Sequence, residues 1–126
     1  MERPIQVLVE LTIEEGKAED FKIQMPPIIE KVMADEPGML GYQWYLNKDQ
    51  NKCYVIEWVK DSEAWLAHAS NVGSMLPALF AIAPITRCEF FGDITANVEE
   101  VIKSALASFN VEYVNYGYLA GFTRKN

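Results

Sequence analysis

The spacing of apolar residues in this chain switches between two periods, and the order of the switches limits the possible folds more than any other feature. In Ile5 to Ile13 (IQVLVELTI), Ile5, Val7, Val9, Leu11 and Ile13 fall on one side and Gln6, Glu10 and Thr12 on the other, the period of a strand. From Lys17 the apolar residues Phe21, Met25, Ile28, Ile29, Val32 and Met33 stand mostly three or four apart, the period of a helix. Pro26-Pro27 lies inside that stretch and predicts a kink or two short helices, because proline removes an amide donor and crowds the preceding turn. Glu36-Pro37-Gly38 ends it.

Strand signals return at Leu40 to Leu46 and at Lys52 to Val59, joined by a polar segment, Asn47 to Asn51, short enough for a hairpin. In the second of these, Tyr54, Ile56 and Trp58 alternate with Val55, Glu57 and Val59. Asp61 and Ser62 then offer N-cap oxygens, with Glu63 in the first turn. Trp65, His68 and Val72 follow at helical spacing, so the only histidine shares a helix face with an indole. Gly73 disturbs this helix, and Pro77 starts a further turn. Pro84 to Phe91 reads as the fourth strand, closed by Gly92-Asp93.

The resulting order, β-α-β-β-α-β, is the ferredoxin-like arrangement, an α+β fold in which two helices cover one face of a four-stranded antiparallel sheet. The opposite face also carries large apolar groups, so a second subunit is expected to cover it, as a homodimer. Residues 1–94 are expected to form this domain and residues 95–126 an extension. In that extension Asn97 and Glu100 resemble a capping box, followed by a stripe of Val98, Val101, Ile102, Ala105 and Phe109. Val111 to Phe122, rich in aromatics and glycine, is too apolar to remain in water. It suits a strand or arm that covers a sheet edge, crosses to a partner or roofs a pocket.

Composition narrows the function. A net charge of −7 on 126 residues disfavours nucleic acid and anionic membrane surfaces as partners. No stretch has the length and hydropathy of a membrane span or the pattern of a signal peptide, so a cytoplasmic location is expected. Cys53 and Cys88 are far apart and in separate strands, which favours two packed thiols over a redox pair. With one histidine and no clustered ligands, a metal site is not expected. No phosphate-cradling glycine loop or serine nucleophile elbow is present.

Three segments together resemble one family. Glu15-Gly16-Lys17-Ala18-Glu19-Asp20-Phe21 is similar to the "G-K-x-x-x-F" turn of antibiotic biosynthesis monooxygenases. Glu36-Pro37-Gly38-Met39-Leu40-Gly41-Tyr42 is similar to their "E-P-G-x-x-x-Y" turn, and Glu57-Trp58, Ser62-Glu63-Ala64 and His68 to their "E-x-x-x-x-x-E-A-x-x-x-H" run. The resemblance spans about residues 5 to 94 and implies a dimeric α/β barrel. It also implies a class that includes cofactor-independent oxygenases of phenols and quinols, heme-degrading enzymes and proteins without known activity. The heme-degrading branch has an Asn, Trp, His trio with the Asn on the first strand. Here that strand has no Asn, and His68 follows Trp65 by only three positions.

The expected reaction is oxygenation of a small aromatic or quinol-like substrate without metal, flavin or heme. It needs a base, groups that hold an anion, and a dry aromatic cavity. His68 is the candidate base. Trp65, Tyr42, Trp44 and Trp58 are candidates to line the cavity, and Arg87 to hold a phenolate or carboxylate. The alternative for His68 is a packed residue bonded to Glu57 or a backbone carbonyl, and for Arg87 a pair with Glu89. Two other readings stand beside the oxygenase: a non-catalytic dimer that binds a small hydrophobic ligand, and an isomerase or decarboxylase on the same scaffold.

Overall fold

A computed structural model describes residues 3–124. It contains β1 (Ile5–Thr12), α1 (Ala18–Asp35), β2 (Met39–Leu46), β3 (Lys52–Val59), α2 (Ser62–Val72), α3 (Leu76–Ile82), β4 (Ile85–Phe91), α4 (Ala96–Leu106), a 3₁₀ turn (Ala107–Phe109) and β5 (Tyr113–Tyr116). The strands form one mixed sheet in the order β2-β3-β1-β4-β5. The four antiparallel strands are those expected from the alternation, and β5 adds a fifth, parallel to β4. The aromatic segment after Val111 thus covers the β4 edge: Asn115 Nδ2 donates to the Gly92 carbonyl at 2.9 Å, and Phe91 stacks on Tyr116.

Register assigns each strand residue to a face. Leu11, Val9 and Val7 lie opposite Cys53, Val55 and Glu57, which lie opposite Leu46, Trp44 and Tyr42. This set faces the helices. The other set, including Glu10, Tyr54, Ile56, Trp58, Tyr45, Arg87 and Phe91, lies on the open face. There the Tyr54 hydroxyl and Thr86 hydroxyl each donate to Glu10 at 2.6 Å.

Two local expectations are corrected. Of the two alternatives at Pro26 and Pro27, two short helices are ruled out: α1 is one helix, and its apolar residues Phe21, Ile28 and Val32 are buried on both sides of the prolines. Packing therefore outweighs the two missing amide donors. Helix α4 begins earlier than the capping-box pattern suggested: Thr95, not Asn97, is the N-cap, and its hydroxyl accepts from the Val98 amide. At α2 the expected cap is present, with Asp61 accepting from the Ala64 amide at 2.8 Å.

Helix α4 also places Val98, Ile102 and Leu106 in the same core as Val7, Leu11, Val55 and Phe90. Gly38 is required where α2 crosses the start of β2, because a Cβ at that position would lie 2.7 Å from Ala64 Cβ.

Candidate functional site

The alternation of β2 and β3 turns Tyr42, Trp44, Val55 and Glu57 toward the helices. On α2, residues three and four apart turn Trp65, His68 and Val72 toward the sheet. Between these layers is a cavity of about 600 Å³, in the range of drug-sized ligands. Helices α3 and α4 and the 3₁₀ turn wall it with Leu76, Leu79, Phe80, Ile102, Ala105 and Phe109. Phe80 meets Phe109 edge-on with ring centres 5.3 Å apart.

Polar groups concentrate at one place on this wall. His68 is 5% exposed and lies between two buried carboxylates, Glu36 and Glu57, each 7% exposed. Nδ1 is 2.9 Å from Glu36 Oε1, and Nε2 is 3.4 Å from Glu57 Oε2. Glu36 is held in turn by Asn71, whose Nδ2 donates to Oε2 at 2.8 Å. Burial opposes a charge on the ring, but the carboxylates of Glu57 and Glu36 outweigh it and raise the His68 pKa from 6.5 to about 9. At neutral pH the ring is an imidazolium that donates from Nδ1 to Glu36 and forms an ion pair with Glu57 through Nε2.

Tyr42 packs edge-on against His68 at 5.2 Å between ring centres and against Trp44 at 5.7 Å. Burial, with the charges of Glu57 and Glu36 adding to it, pushes its phenol far above 10, so the hydroxyl keeps its proton. Two residues that line the cavity each carry a buried polar atom with no hydrogen-bond partner among the described residues: Glu57 Oε1, an acceptor, and Trp44 Nε1, a donor. Cys88 also lines the cavity, and burial pushes its thiol up to about 12, which keeps it protonated and unreactive.

The structure brings together His68, Trp65, Tyr42 and Trp44 of the residues singled out in the sequence. Trp65 also packs edge-on against Phe90 and so serves core and cavity wall together. Trp58 and Arg87 are not brought there. Both have the opposite parity to Glu57 and Cys88 on their strands and lie on the open face, where Arg87 Nη2 donates to Glu89 at 2.9 Å. Sequence reasoning missed Glu36 as a site residue, although it stood out as part of a helix stop and of the E-P-G-x-x-x-Y turn. An acid at a helix C-terminus opposes the helix dipole, and that mismatch was the available signal for a second role. Among the described residues no group of three or more His, Cys, Asp or Glu is arranged to hold a metal ion, and no helix is long and apolar enough to cross a membrane.

Comparison with known proteins bears on this arrangement directly. Residues 4–73, from β1 to the end of α2, match the antibiotic biosynthesis monooxygenase family. The chain belongs to that family. The match takes in β1–β3 and both acidic partners of His68, whereas α3 and α4, which close the cavity, lie beyond it. MupZ from Pseudomonas fluorescens shares the fold over almost the whole chain, with TM-score 0.76 at 24% identity over 97% of this chain and 95% of that one. SnoaB, a cofactor-independent oxygenase from Streptomyces nogalater solved as an asparagine-to-alanine mutant, gives TM-score 0.61 at 17% identity over 74% of this chain and 95% of its own. A conserved protein from Methanosarcina mazei Go1 gives TM-score 0.61 at 18% identity over 71% and 89%. At these identities the likeness shows the fold alone, an α+β ferredoxin-like fold with a mixed five-stranded sheet. No curated protein sequence gives a significant match.

Proposed function

We propose that this protein is a cofactor-independent monooxygenase acting on a small aromatic or quinol-like substrate held in the cavity between sheet and helices. The observation that carries the reading is the His68 cluster: an imidazole and the Glu57 carboxylate, both buried, on the wall of a mostly apolar chamber, with the buried Glu36 carboxylate bonded to Nδ1 of the ring. The family membership and the fold shared with SnoaB support it.

A carboxylate of the cluster accepts the proton of a phenolic hydroxyl, the His68 imidazolium offsets the anion that forms, and the apolar walls exclude water from it. The phenolate passes one electron to dioxygen, and the two radicals combine at a ring carbon. The peroxide takes back a proton and loses water with the hydrogen of that carbon. One oxygen atom remains as a quinone carbonyl and the other leaves as water, so the substrate supplies all the electrons.

Oxygen uptake with 1,4-naphthohydroquinone, corrected for spontaneous oxidation, tests the reading on native protein and on His68→Ala. A fall of roughly a hundredfold or more is expected, the scale of general acid–base catalysis. Equal uptake by both proteins rejects it. A second reading, a ligand-binding protein without turnover, is favoured by the engagement of both ring nitrogens. It predicts a ligand-dependent rise in melting temperature with no oxygen uptake.

The open sheet face carries Tyr45, Trp58, Phe91, Val114 and Tyr116, each about a third exposed or more. A second copy of the chain covers this face in the proposed working form, a homodimer, which sedimentation at micromolar concentration tests.

A further inference from the structure

We propose that Glu57, rather than His68, takes hold of the substrate, and that the cavity admits neutral hydroxylated molecules and rejects anionic ones. The inference rests on the cavity being the substrate site, but not on oxygenation.

The first ground is the free acceptor. Glu57 is 7% exposed, and its Oε1 has no partner among the described residues while Oε2 faces His68. A buried carboxylate oxygen without a donor is costly, and a ligand O–H placed there removes that cost. His68 offers no acceptor in its charged form: Nδ1 is bonded to Glu36, and Nε2, 3.4 Å from Glu57 Oε2, can only donate. The hydrogen of a hydroxyl that enters the cavity therefore goes to a carboxylate oxygen, not to a ring nitrogen.

The second ground is charge. Among the lining residues there is no lysine or arginine, and the His68 cation is already shared by two carboxylates. A carboxylate or phosphate on the ligand would be a third buried anion around one cation. An ammonium group is disfavoured by desolvation, since its three N–H donors would meet a single free acceptor, Glu57 Oε1. A neutral O–H donor avoids both conflicts.

The third ground is Trp44, whose Nε1, unpartnered among the described residues, supplies a donor on the same wall, two residues along β2 from Tyr42. It suits a second oxygen on the ligand as acceptor. The rest of the lining is aliphatic or aromatic, apart from the Cys88 thiol and Ser108 in the 3₁₀ turn.

The test is equilibrium binding to the full chain without oxygen, followed by calorimetry. The four probes are 2-naphthol, 2-methoxynaphthalene, 2-naphthoate and (2-naphthyl)methylammonium. In native protein 2-naphthol is expected to bind at least about tenfold tighter than each of the others, on the scale of a hydrogen bond to a charged group. Glu57→Leu is expected to erase its advantage over the methyl ether. If that variant does not fold, Glu57→Gln serves, and it is expected to bind 2-naphthoate at least about tenfold better than native protein, because one of the buried negative charges is removed. Equal or tighter binding of 2-naphthoate or of the ammonium probe to native protein overturns the proposal. So does an unchanged preference in the variants, or failure of 2-naphthol to bind. If the ranking holds but no hydroquinone consumes oxygen, the oxygenase reading fails and this one stands.

Discussion

His68 and Glu36 come from elements 32 residues apart in sequence, yet Nδ1 of the ring lies 2.9 Å from the carboxylate Oε1 in a space that solvent hardly reaches. Glu36 ends α1 and His68 lies mid-way along α2, so their contact fixes how the two helices sit over β2 and β3.

Removing the ring leaves Glu36 and Glu57 buried without a cation. His68→Leu is therefore expected to lower stability by about 3–5 kcal/mol, the range for breaking a buried ion pair from one side. Urea denaturation measures it. The double change Glu36→Gln with His68→Leu should recover part of the loss, because one of the stranded charges is gone.

Stability should also depend on alkaline pH. The folded pKa of His68 is raised from 6.5 to about 9, so its contribution is complete below pH 6.5 and is lost as pH rises through 9. A rise of that size corresponds to about 3 kcal/mol. The melting temperature of native protein should fall between pH 6.5 and 9, and that slope should be absent from His68→Leu. A native melting temperature that is flat over this interval contradicts an imidazolium in the folded state.

Trp44 separates stability from binding. Its Nε1 is buried with no partner among the described residues, so Trp44→Phe removes an unsatisfied donor while keeping most of the ring packing against Tyr42 and Phe21. The packing loss and the donor relief nearly cancel, and the change in unfolding free energy is expected to stay within about 1 kcal/mol. Binding of 2,6-dihydroxynaphthalene, which offers a second oxygen, should weaken several-fold in the same variant.

Gly38→Val tests the crossing of α2 over β2. The added Cβ, in the turn before β2, would meet Ala64 Cβ of α2 at 2.7 Å. A loss of about 1–3 kcal/mol is expected, the usual cost of overpacking. Adding Ala64→Gly to the same chain should recover most of it.

Much of the fold was legible because the sheet repeats its signal in every strand. Val7, Val9, Val55 and Glu57 could be assigned to one face by parity alone, and the order of the elements then gave the layering. The cluster was less legible. His68 and Glu57 were visible as an imidazole and a carboxylate with compatible positions, but Glu36 belonged to a turn whose glycine and proline explained it without reference to its side chain. Trp58 and Arg87 were set apart for chemistry on residue type, although their parity already placed them opposite Glu57 and Cys88. The continuity of α1 through Pro26 and Pro27 was hidden for another reason. Local propensity argues for a break there, and only the shared surface under Phe21, Ile28 and Val32 decides otherwise.

The parallel pairing of β5 with β4 has a consequence for how such chains associate. The margin beyond β4 is formed by the molecule's own four-residue C-terminal strand, whereas the eight-residue β2 forms the other margin. A foreign strand that zips onto the sheet finds the longer row of free backbone groups beside β2, next to Tyr45 and Leu46. Shortening the chain before Tyr113 would replace the short margin with the seven-residue β4 and give the molecule two long sticky margins in place of one.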